Sequence, residues 1–491
     1  MQKRCVGLRR EDKSVWERRV AVTPEDAHVL QEQGIEVWAQ PSLTRIYQDA
    51  ELEQAGIRVA EDLSHCSVVF GIKEMPAGFF RPNGVYVFFS HTIKGQPHNM
   101  AMLRRLLELG CTLIDYERVV DDQGRRLIFF GRFAGLAGMV ETLWALGRRL
   151  EYEGLDTPLV EVTHAHQYHD LQHVREAMVR LGAQIAEHGL PEAVTPLVVG
   201  VAGYGNVGQG ALDILDLLPA AAVEPQEVPE LVRGGGSRFS IYRAVFKEAD
   251  TVEPVEPGAV FNLADFRNHP ERYRGAFERY VPYLSAVVNC VYWEPRFPRL
   301  LTKGFLRRHW LEDRPRLRVI GDITADLEGS IEPTVLLTEP GSPVYVYDPL
   351  TGCASEGVEG RGPVIMAVDI LPSELPRDAS AYFSGVLLDY IPAIACADYT
   401  VRWEDLALPP EVKRAVITYQ GRLTPAHDYL SEYLHMGADG RTRHEADSCI
   451  GRGDGGWSAC AVPAGTARVP GHGGRSHGQQ SSGGGGRSSA G

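Results

Sequence analysis

The stretch Val198–Leu215, V-V-G-V-A-G-Y-G-N-V-G-Q-G-A-L-D-I-L, constrains the fold more than any other part of the chain. An apolar run enters Gly203-Tyr204-Gly205-Asn206-Val207-Gly208, and apolar residues at helical spacing, Val207, Ala211, Leu212 and Leu215, follow directly. That order predicts strand, glycine turn and helix. In such a unit the first glycine permits a tight turn and the second lets backbone approach a pyrophosphate. The third lets helix pack on strand, with the anion at the helix N-terminus. The candidate cofactor contacts are therefore Gly203, Gly205, Asn206, Val207 and Gly208, and the expected cofactor is NAD or NADP. The next strand should end in a group for the ribose, acidic for free hydroxyls or basic for a 2′-phosphate. Glu224, at the end of A-A-A-V-E, fits that slot, yet Arg233 and Arg238 follow in a glycine-rich loop, so both cofactors stay open.

Composition limits what the rest can do. A chain of 491 residues, 44% hydrophobic and 23% charged, has material for two or three domains with ordinary cores. Its formal net charge of -14 leaves no basic excess to neutralise phosphates, which argues against nucleic-acid or membrane-surface binding and for small-molecule partners. No apolar run approaches the ~18 residues of a membrane span, and Met1–Arg10 lacks a signal peptide's apolar stretch, so the expected compartment is the cytoplasm. Eight cysteines show neither C-x-x-C nor Cys/His ligand spacing, so no disulfide framework and no metal site is expected. Only seven of the 50 Lys and Arg residues are lysine, which makes a lysine in a special place informative.

The first block alternates short apolar runs with helical segments, the pattern of a parallel sheet covered by helices. Thr23-Pro24-Glu25-Asp26 predicts a capped helix start within it. Ligands of such a sheet bind beyond the carboxyl ends of its strands, and the residues expected there are polar. Arg9 and Arg10 follow the first strand, Lys73-Glu74 follows V-V-F-G-I, Ser90-His91 follows V-Y-V-F-F, and Asp115-Tyr116-Glu117 follows C-T-L-I. A lysine and a histidine beside a nicotinamide suggest hydride transfer coupled to proton transfer. The arginines suggest an anionic, multi-carboxylate substrate, because the guanidinium fork matches carboxylate geometry. Arg10 is one candidate contact; Asp322, after the run Leu317–Ile320, is another, with a turn-forming role as its alternative.

Phe130–Glu153 is glycine-punctuated and then helical, as a connection between domains would be. Pro372–Leu434 returns to helix and is expected to pack back on the first block. The expected architecture is α/β, with two Rossmann-like doubly wound domains. Residues 1–135 begin a substrate domain, 136–371 form an inserted NAD(P)-binding domain, and 372–436 return to the substrate domain. Residues 437–491, dominated by Gly, Ser, Arg, His and Pro, form an expected disordered tail.

Several of these segments together resemble a known family. R-R-E-D-K-S-V-W-E-R-R-V-A-V-T-P, G-I-K-E-M-P, F-F-S-H-T-I-K, I-D-Y-E, D-D-Q-G-R-R-L-I-F-F-G-R-F-A-G-L-A-G-M and G-Y-G-N-V-G-Q-G-A run in order between about residues 3 and 434. They resemble lysine–ketoglutarate reductase, the L-lysine-forming saccharopine dehydrogenase, found alone or as the first half of a bifunctional enzyme. More distantly the chain is similar to alanine dehydrogenase and the transhydrogenase nucleotide-binding subunit. The resemblance implies condensation of L-lysine with 2-oxoglutarate and hydride reduction of the imine to saccharopine, or the reverse. It makes Lys73 and His91 the acid–base pair, Glu74 and Glu117 the carboxylates that tune it, and Arg19 a substrate-carboxylate ligand. Because no second catalytic half follows residue 434, a separate glutamate-forming saccharopine dehydrogenase is expected to act next. The alternatives are an alanine-dehydrogenase-like reductive aminase and a catalytically silent nucleotide-binding regulatory protein.

Overall fold

Strands buried along their whole length need cover on both faces, and this chain supplies it with helices. The computed structural model describes residues 4–312, 315–436 and 458–459. Its first sheet is built from β1 (Cys5–Leu8), β2 (Glu36–Ala39), β3 (Arg58–Val59), β4 (Val68–Phe70), β5 (Val85–Phe88) and β6 (Thr112–Asp115). They lie parallel in the order 6-5-4-1-2-3. Every residue of β1, β4, β5 and β6 is buried, as expected for central parallel strands. The helix Pro24–Glu32 starts as the sequence predicts, with the Thr23 hydroxyl accepting the Asp26 amide.

The second sheet is built around the glycine motif, which the strand Leu197–Ala202 enters. β7 (Leu197–Ala202), β8 (Ala220–Ala222) and β9 (Ile241–Phe246) are followed by a separate two-stranded ribbon, β10 (Val252–Pro254) and β11 (Tyr273–Gly275). The sheet resumes with β12 (Ala286–Asn289), β13 (Val319–Asp322), β14 (Val344–Tyr347), β15 (Ala354–Glu356) and β16 (Val364–Met366). Its parallel core has the order 16-13-12-7-9-8, and β14 and β15 join antiparallel beside β16. The chain then returns to the first sheet: β17 (Val416–Tyr419) pairs antiparallel with β6, and β18 (Arg422–Leu423) with β17. Phe383, Leu387, Ile391 and Ile394 enter the first sheet's core on the way. The α/β architecture is thus as the sequence implies. The expected disordered tail, 437–491, lies outside the described residues apart from β19 (Ser458–Ala459), which pairs with β15. Among the described residues no helix is long and apolar enough to cross a membrane.

One helix links the two halves. The 22-residue helix Gly131–Tyr152 crosses the helix Asn206–Leu215, which follows the glycine turn, with the two backbones in contact. A Cβ added at Gly135 would stand 1.9 Å from the Val207 carbonyl oxygen, and one at Gly210 would stand 2.1 Å from that of Arg132. Gly135→Ala should therefore cost about 1–3 kcal/mol or more through overpacking. Gly385→Ala, in the helix Pro376–Leu388 where the new Cβ meets nothing within 4 Å, should be neutral or stabilising by up to about 1 kcal/mol. Urea unfolding reads both; equal effects would contradict the crossing.

Candidate functional site

The glycine turn is shaped to admit an anion. Gly203 sits at φ +100°, and a Cβ there would lie 2.9 Å from the Cys290 carbonyl oxygen, so only glycine fits. At Gly208 a Cβ would meet the Gly203 carbonyl oxygen at 2.3 Å, which fixes the helix against the turn. At Gly205 nothing stands within 4 Å, so backbone is open to approach. The helix beginning at Asn206 carries no side-chain cap, leaving its first amides for a ligand. Gly203–Val207 line a cavity of about 810 Å³ together with Phe129, Gly131, Lys247, Glu248, Cys290–Trp293, Thr324 and Ser330. These residues fit a dinucleotide.

The expected ribose contact stands away from the cavity. Glu224 does not line the cavity; it stands exposed after edge strand β8 and caps the short turn Pro225–Glu227. The reason is topological: β8 runs to the sheet edge, and β9 returns to lie beside β7. The residues that end the neighbouring strand are therefore Lys247 and Glu248. Glu248 accepts the Tyr204 hydroxyl at 3.0 Å and lies 3.8 Å from Arg267.

At the strand ends of the first sheet, Glu74 is a junction. Its Oε1 lies 2.7 Å from His91 Nδ1, and Lys13 Nζ reaches both oxygens at 2.9 and 2.7 Å. Burial alone would raise the Glu74 carboxyl, but the bonds from His91 and Lys13 outweigh it and hold the group well below the usual carboxylate range. His91 itself has φ +46°, a conformation unfavourable for a side-chain-bearing residue, and Asn99 Nδ2 holds its carbonyl at 3.1 Å. Lys73, adjacent to Glu74, is pushed below the ordinary lysine value by desolvation and by Arg19, against the pull of Glu17 and Glu74.

Arg19 is clamped by a buried carboxylate. Its Nε and Nη2 donate to Glu17 at 2.7 and 2.5 Å, and its guanidinium lies 4.2 Å from the centre of the Phe130 ring. Burial would raise Glu17, but this fork holds its carboxyl low. Phe130 is flanked by Phe129 and Gly131, both on the nucleotide cavity. Beneath Lys73, Glu11 accepts the Ile72 and Lys73 amides at 2.7 and 3.0 Å, and burial together with Glu17 pushes its carboxyl up to about 7. Asp115, buried at the end of β6, accepts the amides of Ser90 and Glu117 and the Ser90 hydroxyl, and burial pushes it up to about 6.

The remaining candidates stand elsewhere. Arg10 pairs with Glu61 at 2.7 Å at the far end of the edge, Glu117 with Arg126 at 2.6 Å. Asp322 is enclosed: Asn289, Thr324 and Thr334 side chains and the Ala325 amide occupy its oxygens. Glu11, Glu17 and Lys13 were not singled out as site residues. The short spacing Glu17-x-Arg19 was the available signal for one pair, whereas Glu11 and Lys13 depend on the fold bringing the loop after β1 against the end of β4.

Residues 7–137 match the family model described as alanine dehydrogenase/PNT, N-terminal domain. The chain is 37% identical over 442 residues to alpha-aminoadipic semialdehyde synthase of Arabidopsis thaliana, covering 87% of this chain and 41% of that protein. It is 26% identical over 401 residues to the NAD(+), L-lysine-forming saccharopine dehydrogenase of Emericella nidulans, covering 78% of this chain and 90% of that protein. A solved L-alanine dehydrogenase shares the fold, with a TM-score of 0.57 at 18% identity over 88% of this chain and 99% of that one. The chain spans less than half the length of the alpha-aminoadipic semialdehyde synthases it matches. The resemblance carried by the motifs is borne out as homology to these proteins.

Glu11 gives the site a pH signature. Its carboxyl keeps a proton in the folded chain up to about pH 7, whereas the unfolded chain loses it near 4.5. The folded state binds the extra proton in that window, so stability falls as pH rises through it. Glu11→Gln removes the loss: relative to the variant, the wild type should weaken by up to ~3 kcal/mol between about pH 4 and about pH 8. A pH-independent difference in urea unfolding would contradict this.

Proposed function

We propose, from homology to L-lysine-forming saccharopine dehydrogenases, that the chain is an oxidoreductase acting on a CH–NH bond. It condenses L-lysine with 2-oxoglutarate and reduces the product to saccharopine with NADH or NADPH, or runs the reverse. The observation that carries the reading is the Glu74 junction, which holds His91 and Lys13 beside a desolvated Lys73. The names of the relatives support the substrate pair, and the open glycine turn supports a pyridine nucleotide.

The bound cofactor would supply the hydride. In the forward direction the lysine ε-amine adds to the ketone carbon, the ketone oxygen departs as water, and hydride reduces the resulting C=N carbon. The amine must first lose a proton and the oxygen must gain them. A depressed pKa lets Lys73 hold a neutral amine closer to neutrality, so it can take the proton from the incoming ammonium. His91, its Nδ1 fixed to Glu74, presents Nε2 to protonate the departing oxygen. Glu74, held anionic, stabilises imidazolium between transfers. Arg19 spends Nε and Nη2 on Glu17, which leaves Nη1 to meet a substrate carboxylate. Glu248 takes the ribose role that Glu224 cannot reach. A separate glutamate-forming saccharopine dehydrogenase would consume the product. We place the enzyme in the cytoplasm.

Lys73→Met and His91→Gln should each lower turnover of lysine plus 2-oxoglutarate at least ~10-fold while leaving nucleotide affinity nearly unchanged. Wild-type rates in either variant would remove that residue from the mechanism. Glu248→Ala should raise the NADPH-to-NADH ratio of kcat/KM at least ~10-fold by removing a negative charge from the 2′ position; an unchanged ratio would move the ribose site elsewhere. Tight nucleotide binding without turnover of any amine and oxo acid would favour the regulatory alternative.

A further inference from the structure

A second cluster of titratable groups lies in the interior on the long helix Gly131–Tyr152, away from the strand ends. Glu141 projects from mid-helix with its side chain fully buried, and Glu374 ends the short turn Leu371–Glu374, also fully buried. His164 and His166 flank Ala165 between them. Glu141 is supported on both oxygens: His164 Nδ1 lies 2.8 Å from Oε2, and the Ala165 amide donates to Oε1 at 2.7 Å. Glu374 is different. Neither of its oxygens has a hydrogen bond of good geometry, although the Glu141 carboxyl and the His166 amide stand beside them, and the buried Nδ1 of His166, 3.6 Å away, has none either. One donor atom from each of Glu141, His166 and Glu374 lies within 4.8 Å of the others. Trp16, from the loop after β1, packs edge-on over His166 at 4.9 Å, and Trp144 lies 4.1 Å from His164.

Two buried carboxylates this close cannot both stay charged unaided. Burial, with Glu141 alongside, pushes the Glu374 carboxyl well above the ordinary value, so a shared proton is one resolution. It is an incomplete one. A single proton bridges Glu141 and Glu374 but leaves His166 Nδ1 at 3.6 Å from Glu374, too far for a good hydrogen bond, so a buried polar group stays unsatisfied. A divalent cation takes lone pairs from all three at once and neutralises both carboxylates.

We propose that Glu141, His166 and Glu374 form a divalent-cation site, with His164 and the Ala165 amide orienting Glu141 from behind. Imidazole and carboxylate donors, three from protein with a fourth position left for water, suit zinc. The support of Glu141 by His164 is the outer hydrogen bonding that ordered metal ligands receive. The ion would tie the long helix, the segment around Ala165 and the turn before the return to the first sheet into one unit beneath Trp16. Its ligands are far apart in sequence, which is why no spacing announces them.

The test uses the full chain stripped with a chelator, in a Cys66→Ser, His173→Ala background that disables the clusters Cys5–His65–Cys66 and His169–Asp170–His173. Zinc chloride is titrated calorimetrically, bound zinc is counted by elemental analysis, and the thermal midpoint is recorded with and without zinc. The background protein should bind one more equivalent of zinc than its Glu374→Gln and His166→Ala derivatives, and zinc should raise its midpoint but not theirs. Any residual binding in the derivatives should be at least ~10-fold weaker. Glu374→Gln keeps the shape and neutrality of a protonated acid, so a shared proton alone predicts the same response to zinc in all three proteins. That result, or no zinc bound by the background protein, would overturn the proposal.

Discussion

The contact on which the rest depends is the crossing of two helix backbones at Gly135 and Gly210. Room for even one methyl group is absent there, so the helix Gly131–Tyr152 and the nucleotide helix Asn206–Leu215 are held at a fixed separation. The start of the long helix then forms a wall of the nucleotide cavity through Phe129 and Gly131, and between them Phe130 carries the Arg19 guanidinium on its ring. Further along, the same helix presents Glu141 to His164 and Glu374, and near its end Arg149 bonds the carbonyls of Val358 and Gly360. Cofactor turn, strand-end cluster and buried carboxylates are thus mounted on one rod.

Charge in the strand-end cluster is settled by partners more than by exposure. Glu17 and Glu74 are both largely buried, yet each stays anionic because hydrogen-bond partners approach with good geometry: Arg19 as a fork on Glu17, Lys13 and His91 from two sides on Glu74. Glu11 accepts only backbone amides, and burial together with Glu17 outweighs the pull of Arg9, so its carboxyl rises to about 7. Lys73 stands between these carboxylates and Arg19, so desolvation dominates its protonation. Glu11 and Asp115, pushed up to about 7 and about 6, can hold protons near neutral pH beside the proposed acid–base pair.

Local patterns carried the elements and the order of groups at the sheet edge. The strand, turn and helix around Gly203, the Thr23 cap and the positions of Lys73, Glu74 and His91 after their strands all follow from residues adjacent in sequence. What escaped depended on partners chosen in three dimensions. Glu224 and Glu248 both follow strands, and only the sheet order, with β9 beside β7, decides which one reaches the cavity. Arg10 and Glu117 follow their strands as the sequence implies, but their ion-pair partners Glu61 and Arg126 come from other segments. Asp322 stands after a strand like a ligand contact, but the four groups that saturate it include Thr334, a dozen residues on, and Asn289, 33 residues back. The Glu141–His166–Glu374 cluster joins segments with no shared local signal.

The most direct measurement of the central claim is product identification by mass spectrometry from isotopically labelled lysine, 2-oxoglutarate and a reduced nicotinamide cofactor. The account predicts labelled saccharopine formed in step with cofactor oxidation, one for one. Oxidation of the cofactor with ammonium and pyruvate, but no condensation product from lysine and 2-oxoglutarate, would contradict it.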